Sequence, residues 1–350
     1  MDIYGNVMLI AYSVHPDNNL LAWGFEKGGG IILYHLNASD TWENQSNIFI
    51  DEDDKSNPQI GINKLLLIER DTKLMAASQC GLVKIWNIQK VNNKYTLNEF
   101  KSYRSDQTKE TPGVYYNITS LIYLEDAYFM FGEDDLGKAH AYNYTNEGYK
   151  QIINVKENFT KLQSLTGASF ECLIRIKGTY NILAAIKITN DCYIFLFTSQ
   201  KSFPSFTIAG KYYVPNVQCS GVLYQLTNND IALATEVDKG IVLIIDYKKV
   251  FDTRNNNVPA PKIIEHENFK IYPVSMVMIS DKYLLYVSNE KYVIVDVQTQ
   301  RVEYAGDIKN TEGRLIAKMN ENSYICDYQE ETVNRKGKLV NGVSTFTISI

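Results

Sequence analysis

Histidine is scarce in this 350-residue chain. His15, His35, His140 and His266 are the only four, and none has a partner at metal-ligand spacing, so the sequence holds no pattern for a metal centre. Gly-x-Ser-x-Gly, His-Glu-x-x-His, Cys-x-x-Cys and Gly-x-x-x-x-Gly-Lys followed by Ser or Thr are all absent, which leaves no motif for an acyl-transfer, zincin, redox or nucleotide-hydrolysing enzyme. Arginine is sparse too, at seven residues, and the formal net charge is -5 with a pI near 5.5. Nucleic-acid binding through bulk charge needs a basic face to displace counterions, so this balance argues against it. No stretch reaches the roughly 18 apolar residues of a membrane-spanning helix. Met1 to Asn6 lacks the basic start and apolar run of a secretory leader, so an intracellular protein, cytoplasmic or nuclear, is expected. Cysteines number five, Cys80, Cys172, Cys192, Cys219 and Cys326; they are odd in number and scattered, and are expected to be buried free thiols.

What the chain does have is strand-forming material. Hydrophobic residues make up 45%, and 25 Tyr stand against 3 Trp among many Ile, Val and Thr, a composition that excludes disorder and leans to β-structure. The sharpest local pattern is Gly81-Leu82-Val83-Lys84-Ile85-Trp86-Asn87-Ile88. Gly81 takes the positive φ of a tight turn, and the residues after it alternate in facing. Lys73 to Cys80 supplies the partner strand. The pattern recurs: Tyr34, Trp86, Tyr142, Phe197, Asp246, Asp296 and Thr347 mark equivalent positions separated by 52, 56, 55, 49, 50 and 51 residues. Near-equal units of about this length signal a repeat architecture.

These units resemble those of WD-repeat β-propellers. The phrase Leu9-Ile10-Ala11-Tyr12-Ser13, then His15-Pro16-Asp17-Asn18, then Leu20-Leu21-Ala22-Trp23-Gly24 is similar to a WD-repeat opening, and Gly81 to Asn87 is similar to a WD-repeat close with Asn in place of Asp. The Gly-His dipeptide and terminal Trp-Asp of typical members are missing. The resemblance implies an all-β, seven-bladed propeller with four antiparallel strands per blade, a single domain over residues 1–350. The blades are expected near 6–50, 62–103, 118–155, 170–213, 219–265, 274–308 and 313–350, with residues 1–5 completing the last. A long polar insert, Asp327 to Asn341, is expected in the seventh unit.

By the same resemblance the protein is a non-catalytic interaction scaffold or complex subunit, without cofactor, whose partners are other proteins. A phosphoinositide- or membrane-binding propeller is the alternative, yet those carry paired arginines and no Arg-Arg occurs here. A propeller enzyme with a site in the central funnel is the other. Gly28-Gly29-Gly30 lies between two expected strands with no helix after it and reads as a turn. In WD-repeat propellers the loops between second and third strands share one face with the loops that enter each blade. On that face the sequence places Asp51, Glu52, Asp53 and Asp54, and also Glu26, Glu133, Asp134, Asp135, Glu236 and Asp238. Asp327, Glu330 and Glu331 of the insert join them, with Phe25, Tyr115, Tyr116, Phe269 and Tyr272 as aromatic anchors. Solvated loop charge accounts for the acids alone; acids with aromatics make the face a candidate for a basic segment of a partner.

Overall fold

Strands in this chain pair antiparallel with their sequence neighbours, which turns it into a series of meanders. The computed structural model describes residues 7–12, 19–25, 29–39, 42–50, 61–106, 114–134, 136–156, 167–189, 191–199, 205–214, 217, 219–227, 230–235, 242–252, 260–265, 273–288, 291–307, 316–318, 323–333 and 339–347. The first sheet holds β1 (Val7–Tyr12), β2 (Leu20–Phe25), β3 (Gly30–Leu36) and β4 (Trp42–Phe49). The second holds β5 (Ile62–Ile68), β6 (Lys73–Ser78), β7 (Leu82–Val91) and β8 (Lys94–Arg104), the third β9 (Ile118–Glu125), β10 (Tyr128–Glu133), β11 (Lys138–Asn143) and β12 (Lys150–Asn154). In the fourth are β13 (Ala168–Arg175), β14 (Ile182–Ile188), β15 (Asp191–Ser199) and β16 (Phe206–Val214). The fifth has β17 (Cys219–Gln225), β18 (Ile231–Thr235), β19 (Val242–Ile245) and β20 (Lys262–Ile264), with a single helical turn, α1 (Tyr247–Val250), after β19. The sixth has β21 (Pro273–Met278), β22 (Tyr283–Ser288), β23 (Lys291–Asp296) and β24 (Arg301–Asp307). A last sheet of three strands holds β25 (Ile316–Lys318), β26 (Ser323–Val333) and β27 (Leu339–Thr347).

Among the described side chains, the second strand of a sheet is its most buried. Leu20-Leu21-Ala22, Leu74-Met75-Ala76-Ala77, Leu183-Ala184-Ala185 and Ala232-Leu233-Ala234 are inaccessible on both faces. Strands covered on both sides read as continuous apolar runs, and alanine lets the adjacent sheet approach at native packing density. Outer strands behave oppositely: along β16, exposed and partly buried residues alternate between two buried ends, as expected with one face in water. Register breaks recur between first and second strands, at Val7/Leu9, Ile62/Lys64, Phe170/Cys172 and Pro273/Ser275. Such bulges increase local twist, and their recurrence carries the repeat into the backbone.

The chain comprises two compact units: residues Met1–Glu125 with Leu315–Ile350, and residues Asp126–Arg314. In the first, Leu20, Ala22, Ile31 and Leu33 pack with Ile62, Leu65, Leu74, Ala76 and Trp86 in one core between the first two sheets. Gln45 of β4 accepts the Tyr95 amide hydrogen of β8 at 3.0 Å, tying the outer strands together. In the second unit, Leu183, Ala185, Ile194, Leu223, Leu233 and Leu243 form one core, and Ala232, Ile244, Met276, Leu284, Tyr286 and Val293 another. Gln151 repeats the tie there, exchanging bonds of 2.7 and 2.8 Å with the Phe206 backbone.

Three expectations are corrected. The insert expected from Asp327 to Asn341 is largely strand: Asp327 pairs with Val343 and Glu330 with Val340, so Asp327, Glu330 and Glu331 belong to β26. Polar composition concealed a hairpin whose regularity comes from backbone pairing. Cys80 and Cys172 form no disulfide, whereas Cys192 is disulfide-bonded, which the scattered cysteine spacing did not signal. Phe25 is a buried end of β2 and not a loop anchor. Residues 1–5, expected to complete the seventh blade, lie outside the described residues.

At the ends of third strands an Asx side chain caps the following turn. Asn143 Oδ1 accepts the amide hydrogens of Thr145 and Asn146, each at 2.8 Å, and Asp246 accepts that of Lys249 at 3.1 Å. Asp296, inaccessible to solvent, accepts those of Gln298 and Thr299 at 2.8 and 3.1 Å and lies 3.0 Å from the Lys282 ammonium. Desolvation alone would raise its pKa; donation from Thr299, Lys282 and Gln298 outweighs it and holds the carboxyl at about 2. A carboxyl depressed on folding contributes stability that is present above its unfolded pKa and lost as pH falls through the folded value. Asp296→Asn keeps one acceptor oxygen and loses the charge. Melting temperatures are expected to fall less steeply in the variant than in the wild type between about pH 4 and pH 2; parallel profiles would show that Asp296 does not contribute.

Candidate functional site

Among the described residues, the connection between second and third strands turns on a glycine in three sheets. Gly29, Gly81 and Gly137 have φ of 61°, 73° and 64°. Their carbonyls accept the amide hydrogens of Ile50, Ser105 and Val155 at 2.9, 2.8 and 3.0 Å, each residue lying just beyond its sheet's outer strand. The turn and the departure from the outer strand are thereby held at the same end of each sheet. Asp51 follows Ile50 directly. The entering segments meet the turns as well: the Gln79 amide hydrogen is donated to Gly61 and that of Gly137 to Ala168, at 2.8 and 2.7 Å.

The second sheet shows this end in most detail. A Cβ on Gly81 would collide with the Ser105 hydroxyl, and would lie 2.6 Å from Tyr115 Cβ and 2.7 Å from the Tyr116 carbonyl. The Ser105 hydroxyl donates to that carbonyl at 2.6 Å, and the Tyr116 amide hydrogen goes to Asp106 at 3.0 Å. The Arg104 guanidinium sits 4.8 Å from the centre of the Tyr115 ring. Further along, Asn63 donates to Asn117 and to the Ile118 carbonyl at 2.6 and 2.8 Å. Tyr115 and Tyr116 are therefore half-buried side chains on a closely tied loop.

Among the expected site residues, these two tyrosines are the ones the structure brings together. Asp134 is half-buried, its carbonyl accepting the Leu136 amide hydrogen at 2.8 Å. Asp51, Glu52, Asp53, Asp54, Asp135 and Tyr272 lie outside the described residues, as do Glu26, Glu236, Asp238 and Phe269. Glu133 corrects the expectation. It ends β10, is inaccessible to solvent, and places Oε1 2.8 Å from Nε2 of the equally buried His140. The Glu-Asp-Asp run read as solvated loop, but β10 extends one residue into it and carries the carboxylate inward. His140 is sandwiched by the register, with Phe131 stacked on it at 4.9 Å and 13°. Both members of this carboxylate–imidazole pair are inaccessible to solvent. Gly132 to Lys138 does have Gly-x-x-x-x-Gly-Lys spacing, but Ala139 follows and the stretch joins two antiparallel strands. A phosphate cradle needs a helix there. Arg104 and Ser105 were missed from sequence; the signal was their position at the end of the outer strand, Arg104 as its last paired residue and Ser105 as the next, beside the entering loop.

Compared by sequence, the chain matches no protein-family model and none of the curated proteins. Solved structures do match. Raptor from Chaetomium thermophilum superposes with a TM-score of 0.68 at 12% identity over 100% of this chain, which spans 29% of the Raptor chain. The Cps50 (Swd1) β-propeller domain of Myceliophteria thermophila gives 0.66 at 9% identity and 99% of both chains. Sqt1 of Saccharomyces cerevisiae gives 0.57 at 12% identity, covering 97% of this chain and 85% of that one. The meanders, the buried second strands and these likenesses together show that this all-β chain has the WD-repeat β-propeller fold.

Proposed function

We propose that the protein is a non-catalytic interaction scaffold, a subunit of a multiprotein complex, that takes up a basic segment of a partner protein at the end carrying the glycine turns. The observation that carries this reading is the pair Tyr115 and Tyr116, held half-buried on a loop tied to Gly81, Ser105 and Asp106. Aromatic side chains ordered before binding lose little further freedom on association and are favoured as interface anchors. The acidic run Asp51 to Asp54, which follows Ile50 at the same kind of turn, supplies charge to steer a basic ligand. That propellers of this fold typically act as scaffolds within complexes supports the reading.

Affinity purification with mass spectrometry identifies the partner, and its binding is then followed by surface plasmon resonance. Asp51 and Asp53 changed to Asn are expected to slow association severalfold and to flatten its dependence on ionic strength, since screening acts over about 8 Å at physiological salt. Tyr115→Ala is expected to speed dissociation instead. Association indifferent to both salt and the two substitutions would overturn the acidic-steering mechanism.

A further inference from the structure

The hairpin joining β7 and β8 outruns its own sheet. Pairing of β6 with β7 ends at Lys73 and Asn87, and the Ile88 amide hydrogen makes a last bond, to the Thr72 carbonyl at 2.8 Å. β7 and β8 stay paired with each other as far as Val91 and Lys94, so the end of the hairpin is a two-stranded ribbon. Its base is braced. Ile88 and Leu97 pack against the core of the first two sheets, Tyr95 belongs to that core, and the Tyr95 ring lies 5.2 Å from that of His35 in β3. Asn92 and Asn93 make the turn, with φ of 50° and 63°. Asparagine tolerates the left-handed region that both central positions of such a two-residue turn require, and the turn's twist matches that of the strands it joins.

Positive charge gathers at this end. From Ile88 to Asn98 the chain has Lys90 and Lys94 and no acid, a net charge of +2 in a protein whose net charge is -5. The stretch from Gln89 to Lys94 is exposed throughout, Val91 to 51%. Among the described residues neither lysine has a carboxylate within ion-pair distance; the Lys90 ammonium lies instead 5.1 Å from the centre of the Tyr95 ring. Glu99, the first acid after Lys94, is answered by Lys84 at 2.8 Å. In the ladder Lys90 is paired with Tyr95 and Lys94 with Val91, and neighbouring pairs point to opposite faces. One lysine therefore stands on each face of the ribbon. A turn ordered in advance costs less to immobilise on binding, and two ammonium groups on opposite faces suit an anion flexible enough to pass round the tip. As a membrane anchor, one valine with two lysines falls short.

We infer that the tip of the β7–β8 hairpin is a second docking element, which takes an acidic, flexible segment of a partner protein around its end. The segment's carboxylates meet Lys90 on one face and Lys94 on the other. Charge selects the partner, and salt weakens the contact.

The full chain is titrated with a fluorescein-labelled Glu-Gly tetrarepeat peptide at low ionic strength, following anisotropy. Lys90→Glu with Lys94→Glu is expected to weaken binding about tenfold. Lys150→Glu with Lys262→Glu changes the net charge equally at exposed lysines of other sheets, and is expected to leave binding within about twofold of the wild type. All four side chains are exposed, so both variants should keep the wild-type circular dichroism spectrum. Failure of the wild type to bind the peptide, equal weakening in the two double variants, or undiminished binding after Lys90→Glu with Lys94→Glu would each overturn the inference. So would co-sedimentation with vesicles of phosphatidylcholine and phosphatidylserine that depends on Lys90 and Lys94, since the tip would then serve a lipid surface.

Discussion

Trp86→Ala is expected to lower stability by about 3–5 kcal/mol, the range for removing a large aromatic from a well-packed core. Trp86 lies on β7 with 3% of its surface exposed, opposite Leu74 in register, in the core shared by the first two sheets. Leu20, Ile62, Leu65 and Tyr95 belong to the same core. Its neighbours are held by strand pairing on both sides, so the cavity cannot collapse freely, and the loss should fall toward the upper half of that range. Urea unfolding followed by circular dichroism reads it directly. Trp86→Phe, which leaves a smaller void, should recover more than half of the loss. A change below about 1 kcal/mol for the alanine variant would mean that the first two sheets can repack around the gap, against the close packing described.

Gly81→Ala is expected to have the second largest effect, and by a different route. At φ of 73° a side chain meets the intrinsic penalty of the left-handed region, about 1–2 kcal/mol. The added methyl also meets the Ser105 hydroxyl, the Tyr115 Cβ and the Tyr116 carbonyl, and two of these three belong to the loop proposed to hold the partner's anchor residues. Relief requires that loop to move. The variant should therefore lose about 2–3 kcal/mol of stability and, well below its melting temperature, bind the partner more weakly through faster dissociation. Gly178→Ala is the control: φ there is 74°, but nothing lies within contact distance of the added methyl. It should show the conformational penalty without the binding defect. Equal effects at both positions would mean that crowding around Gly81 is of no consequence to the loop.

Much of the architecture is local and could be read in the chain. Runs such as Leu74-Met75-Ala76-Ala77 and Ile182-Leu183-Ala184-Ala185 are strands because their side chains alternate and both faces are apolar, and Gly81 is a turn because few other residues tolerate its φ. Recurrence near fifty residues followed from the same marks. Nothing in that logic requires knowledge of what lies alongside a strand. The tertiary structure decided whatever did. Glu133 has two acidic neighbours in sequence and a buried imidazole in space; Cys192 is bonded although no cysteine spacing announced it; Gln45 and Gln151 satisfy backbone groups 50 and 55 residues away. Tyr115 became a candidate anchor with a defined setting only once Arg104 and Gly81 were seen against it. A sequence encodes the period and polarity of each strand, but burial, ion pairing and hydrogen-bond satisfaction are properties of neighbours, and in a meandering β-fold many neighbours arrive a full repeat apart.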